Sequence, residues 1–173
     1  VVHSIGTLVI GESGATTGPN IGKLGARSYT GVFTSGTCTV NAGNIYTSKG
    51  NALATQGTTT INGGTIDFYA SGGMSRSISV EAGTTTINGG TFSNGNTTGE
   101  TEDRRGNAIS IEAGATAIVN GGTFSSAWYS YINGTLTVND GDFTHTIVSP
   151  RDDGVVNIYG GTFYQITWQY GNN

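Results

Sequence analysis

The chain has 173 residues, enough for one domain spanning 1–173, and 10% of them are charged against the ~25% usual in globular proteins. Its net charge of -4, with lysine only at Lys23 and Lys49, argues against nucleic acid, which needs a basic stripe. No apolar run approaches the ~18 residues of a membrane-spanning helix, so no membrane insertion is expected.

The first strand signal is Thr7-Leu8-Val9-Ile10-Gly11, which returns as Thr37-Cys38-Thr39-Val40-Asn41. Its fullest form is Thr58-Thr59-Thr60-Ile61-Asn62-Gly63-Gly64-Thr65-Ile66, repeated as Thr84-Thr85-Thr86-Ile87-Asn88-Gly89-Gly90-Thr91-Phe92. Later copies are Thr116-Ala117-Ile118-Val119-Asn120-Gly121-Gly122-Thr123-Phe124, Thr135-Leu136-Thr137-Val138-Asn139 and Val155-Val156-Asn157-Ile158-Tyr159-Gly160-Gly161-Thr162-Phe163. A second strand precedes several copies, as Ala52-Leu53-Ala54, Ile78-Ser79-Val80 and Ile109-Ser110-Ile111. The runs are short, rich in Thr, Val and Ile, and bounded by Gly, Asn and Ser, without helical periodicity.

Side chains alternate across a strand, so an inward Ile61 takes Thr59 inward and leaves Thr58 and Thr60 outward. Two core columns follow: Ile61, Ile87, Val119, Val138 and Ile158, and Ile66, Phe92, Phe124, Phe143 and Phe163. Asn62, Asn88, Asn120 and Asn139 would stack as an amide ladder at the turn. Cys38 has no cysteine partner and aligns with Thr59 and Thr85, so it reads as a small core residue. Successive asparagines lie 21 (Asn41 to Asn62), 26, 32 and 19 residues apart. The excess falls at 11–31, 67–75 and 93–106, each between a Gly-Gly-Thr-Phe strand and the next Asn-Ala-Ile strand. Insertions that share an edge of a solenoid commonly build its binding face; neutral loop growth is the alternative.

These features predict an all-β fold: a single right-handed parallel β-solenoid of about seven coils, with loop insertions on one edge. The chain resembles the right-handed parallel β-helix proteins of pectin-lyase-like architecture. More narrowly, it is similar to the Gly-Gly-Thr-repeat domains of bacterial secreted and surface proteins, and to phage tail-spike coils. That resemblance implies a secreted, cell-surface or virion location, non-catalytic recognition of a polysaccharide or surface glycan, and a place in a longer surface protein or a homotrimer. The start at Val1-Val2, without a signal-peptide pattern, suits a mature form or an excised fragment. Carbohydrate-binding relatives often carry Gly-Asp-Gly at the second strand. Here Gly50-Asn51-Ala52 and Gly106-Asn107-Ala108 stand instead, so no metal or cofactor is expected.

Many β-helices cleave polysaccharides. A lyase needs a base beside calcium-binding carboxylates, and a hydrolase needs paired carboxylates. The best catalytic candidates are Asp140, Asp142 and His145, where two aspartates replace the Gly and Thr of the repeat; a turn residue and a solvent-side strand residue are the plainer readings.

Three surfaces could bind. The aromatic residues Trp128, Tyr129, Tyr131, Tyr164, Trp168 and Tyr170 could stack on sugar faces, or could cap the end of the core. The outward threonines Thr37 and Thr39, Thr58 and Thr60, Thr84 and Thr86, Thr116, and Thr135 and Thr137 resemble the Thr-x-Thr arrays of ice-binding solenoids, interrupted at Val9, Ile118 and Asn157. The insertion edge offers Asp67, Tyr69, Arg76, Asn94 and Asn96, with Arg104 and Arg105 as contacts for a ligand carboxylate. A structural stalk without any ligand is the remaining alternative.

Overall fold

The computed structural model describes residues 2–23, 30–69, 75–94 and 106–168, and at 23, 94, 127 and 128 the backbone only. The chain turns through three strands at a time. These are β1 (Val2–Ser4), β2 (Thr7–Ile10) and β3 (Asn20–Lys23), then β4 (Val32–Thr34), β5 (Thr37–Val40) and β6 (Asn44–Thr47). Next come β7 (Asn51–Thr55), β8 (Thr58–Ile61), β9 (Thr65–Phe68), β10 (Ser75–Val80), β11 (Thr84–Ile87) and β12 (Thr91–Asn94). The last are β13 (Gly106–Ile111), β14 (Thr116–Val119), β15 (Thr123–Ile132), β16 (Thr135–Val138), β17 (Asp142–Pro150), β18 (Val155–Ile158) and β19 (Thr162–Ile166).

All pairing is parallel, between one coil and the next. The threonine sheet stacks β2, β5, β8, β11, β14, β16 and β18. An entry sheet stacks β1, β4, β7, β10 and β13, and a phenylalanine sheet stacks β3, β6, β9 and β12. The long strands β15 and β17 serve both of these sheets, bending from one to the other through register shifts. The result is an all-β parallel solenoid.

The expected strand faces are present. Thr59 and Ile61 are buried while Thr58 and Thr60 face outward, and β11 repeats the pattern. Ile61, Ile87, Val119 and Val138 are fully buried in one column, whereas Ile158, expected in the same column, is 41% exposed on the last strand of the threonine sheet. In the other, the rings of Phe92 and Phe124 lie 4.7 Å apart and tilted by 6°, Phe124 and Phe143 4.3 Å apart and tilted by 1°, and Phe143 and Phe163 5.0 Å apart. The asparagine ladder forms as well. Each amide nitrogen donates to the amide oxygen one coil below: Asn62 to Asn41 at 2.8 Å, Asn88 to Asn62 at 2.9 Å, Asn120 to Asn88 at 2.9 Å and Asn139 to Asn120 at 2.8 Å. The second glycine of the motif makes the turn possible, with φ of +94° at Gly64 and +106° at Gly90, a region disfavoured for side-chain-bearing residues. Cys38 is buried, and desolvation pushes its thiol up to about 11, as suits an inert core residue.

The insertions need one correction. Within 67–75 and 93–106 the chain passes from β9 to β10 and from β12 to β13, that is, from the phenylalanine sheet to the next entry strand. The stretch 11–31, however, contains β3, which pairs with β6 from Asn20↔Asn44 to Lys23↔Thr47. Residues 11–19 therefore make a corner between β2 and β3, and 20–23 are strand. The strand Asn20-Ile21-Gly22-Lys23 lacks the Gly-Gly-Thr phrase, so the motif alone could not reveal it.

Candidate functional site

The three sheets present three different outer faces. On the threonine sheet, Thr37, Thr58, Thr84, Thr116 and Thr135 stand in one column. Thr39, Thr60 and Thr86 stand in a second, continued past Ile118 by Thr137. Val9, Val155 and Asn157 occupy the end strands of these columns.

The entry sheet's outer face is largely covered by its own side chains. Ala54, Ser79 and Ser110 lie in one row there and are nonetheless buried. Longer neighbours cross this face. Arg76 forms an ion pair with Glu112 at 3.7 Å, Asn51 donates to Glu81 at 3.3 Å, and Gln56 donates to Glu81 at 2.9 Å. Farther along, Tyr129 and Tyr131 project from the same side of β15 with ring centroids 5.8 Å apart, and the Arg151 guanidinium sits 3.3 Å over Tyr131. That cation occupies the ring face on which a sugar would stack.

The phenylalanine sheet's outer face is an open polar track in two rows. One row runs Asn20, Asn44, Thr65, Thr91, Thr123, Asp142 and Thr162. The other runs Gly22, Tyr46, Asp67, Ser93, Ser125 and His145. At one end, Asn20, Asn44, Tyr46 and Tyr69 line a cleft of about 440 Å³, in which the two tyrosine rings stand 6.2 Å apart at 87°. At the other end, Phe163 pairs inward with Phe143, and the next residue, Tyr164, is 70% exposed.

Asp67 is the buried ionisable group of this face. Desolvation raises its pKa above the usual carboxylate value, opposed by the Ser93 hydroxyl that donates to it at 2.5 Å. Burial, with Asp67 and Tyr46 beside it, raises the Tyr69 hydroxyl too. Because the folded pKa of Asp67 lies above its unfolded value, its protonated form favours folding, and that contribution is lost as pH rises through the folded value. Asp67→Asn keeps an acceptor for Ser93 without a charge. It should therefore raise the urea midpoint relative to the parent at pH 7, with the advantage shrinking toward pH 3; an advantage independent of pH would contradict this account.

The remaining candidates separate. Tyr129, Tyr131 and Tyr164 belong to described strands as above. Trp168 is half exposed. It lies two residues beyond Ile166, which pairs with Val148, and so continues the column Ile111, Ile132, Pro150 at the end of the core. Trp128 lies in β15 with its side chain outside the described residues, and so does the side chain of Asn94; Tyr170, Asn96, Arg104 and Arg105 lie outside them entirely.

Of the catalytic candidates, Asp142 and His145 meet through Thr144. Asp142 accepts from the Thr144 backbone N–H at 2.9 Å and from its hydroxyl at 2.6 Å, which hold the carboxylate below the usual range. The same hydroxyl lies 3.0 Å from His145 Nδ1. Asp140 accepts from the Gly141 N–H at 2.8 Å, as a turn residue does. These are local contacts that shape the β16–β17 corner and the start of β17.

The sequence did not single out Asn20, Asn44 or Tyr46. The aromatic at Tyr46 was a usable signal, since it replaces a residue that is Asp67, Ser93 or Ser125 in later coils. Compared with protein-family models, with curated proteins and with solved structures, the chain matches none.

Proposed function

We propose that this solenoid is a non-catalytic binding or adhesion module at a cell or virion surface, and that it holds a polysaccharide along the outer face of the phenylalanine sheet. The observation that carries this reading is the polar track bracketed by Tyr46 and Tyr69 at one end and Tyr164 at the other. Five strand steps separate the rows of Tyr46 and Tyr164, about 24 Å at ~4.8 Å per step, a length suited to a linear polymer. Hydroxyls, amides and two carboxylates offer hydrogen bonds along it, and rings offer stacking at its ends. A backbone fixed in a sheet keeps the ordering cost of binding low. The resemblance of the repeat to bacterial surface and tail-spike coils agrees with an extracellular setting.

The test is a polysaccharide array probed with the purified chain and with Tyr46→Ala, Tyr164→Ala, Trp128→Ala and Trp168→Ala. Binding weakened by either tyrosine change supports the track. Binding lost only with the tryptophan changes moves the ligand off this face, and a silent array removes the reading.

A second reading rests on the threonine sheet, whose columns form a regular, uncharged array at strand spacing. If that face binds ice, the chain will show thermal hysteresis that Thr60→Tyr and Thr86→Tyr abolish. A parent chain without hysteresis ends this alternative.

A further inference from the structure

We infer that the cleft lined by Asn20, Asn44, Tyr46 and Tyr69 is a subsite for one uncharged pyranose ring. This rests on the polysaccharide reading above and assigns one unit of that polymer to a defined place.

The cleft is built from both sides. Gly22 lies beneath Tyr46: a Cβ there would stand 2.7 Å from the ring's Cγ, so the ring rests directly on the backbone of β3. Tyr69 begins the next edge, anchored by its backbone N–H to the Thr47 carbonyl at 2.8 Å, and its ring stands nearly perpendicular to that of Tyr46. Two rings at right angles make a corner that meets a saccharide's C–H face and its edge together. The volume of about 440 Å³ falls within the ~300–1,000 Å³ of small-molecule sites.

The polar chemistry also points to a hydroxylated guest. Asn44 lines the cleft with a side-chain amide. Asn20 adds a second amide one strand below. Among the described residues, none of the four that line the cleft is charged. Asp67, next to Tyr46 in the same row, sets a carboxylate behind the site and disfavours a uronate.

The experiment follows the Tyr46 and Tyr69 ring protons of the intact chain by NMR. Cellohexaose, mannohexaose, xylohexaose and hexagalacturonate are added in turn. The expected result is that a neutral hexaose shifts both rings, that hexagalacturonate does not, and that Tyr46→Ala and Asn44→Ala each weaken binding about tenfold. Tyr131→Ala should leave it unchanged. The parent's ring shifts keep the test valid should a variant fail to fold. A hexaose that binds without moving either ring overturns the subsite while the polysaccharide reading stands. A shift with hexagalacturonate alone overturns the uncharged class. Silence of all four probes overturns the subsite, and a silent polysaccharide array removes the wider reading as well.

Discussion

Phe124→Ala should destabilise the fold by about 3–5 kcal/mol, the range for truncating a buried aromatic residue. Phe124 is fully buried and stands in the middle of the ring stack, between Phe92 at 4.7 Å and Phe143 at 4.3 Å. Its loss removes two stacked aromatic contacts and leaves a void that sheet neighbours on a fixed spacing cannot close. In a repeat architecture each coil is stabilised chiefly by its neighbours, so a void here weakens the coupling between the coils below and above it. Urea denaturation followed by far-UV circular dichroism should show a much lower midpoint, and a broader transition where the two halves begin to unfold separately. Phe163→Ala is the matched comparison. Its residue is only partly buried, and its one stacked ring partner among the described residues is Phe143 at 5.0 Å. It should lose clearly less; equal losses at the two positions would show that the stack is not where the stability resides.

Much of the fold was legible because the repeat states one structural sentence many times. Ile61, Asn62 and Gly64 have counterparts in several coils, and period-two alternation settles which threonines face the core. The amide ladder and phenylalanine stack follow once those copies are superposed, since parallel pairing places like residues one above another. The site was less legible because it lies where the repeat is broken. Asn20 and Gly22 sit in a strand without the motif, and Tyr46 and Tyr69 become neighbours through the pairing of β6 with β9. The tryptophans and tyrosines drew notice by their size, yet Arg151 covers a face of Tyr131 and Trp168 sits at the end of the core. An aromatic residue counted in a sequence carries no statement of which of its faces is open.

Gly57→Ala should lower stability by about 3 kcal/mol, at the upper end of the range for overpacking, although nothing in its backbone angles demands glycine. The reason is the coil beneath. A Cβ at Gly57 would lie 2.1 Å from the Gly36 carbonyl oxygen and 2.6 Å from that of Ser35, both backbone atoms that cannot turn aside. The residues just before the threonine strands share this corner, in the column Gly6, Gly36, Gly57, Gly83, Ala115, Gly134 and Gly154. The exception is informative. The corner before β14 is one residue longer than the one before β11, so Ala115 takes the place that motif alignment would give to Gly114. To admit a methyl group at Gly57, the coils must separate where Thr58 donates to Gly36 at 3.1 Å and Thr84 donates to Gly57 at 3.0 Å. Gly6 holds the same column position, and a Cβ there would meet nothing within 4 Å. Gly6→Ala should therefore be neutral, or stabilising by about 0.4–1 kcal/mol through the unfolded chain. Thermal melts of the two variants test the contrast directly: a large loss at Gly57 beside none at Gly6 assigns the glycines of this column, apart from Gly83 with its φ of +70°, to the close approach of stacked backbones. Comparable losses at both positions would return its cause to local backbone conformation.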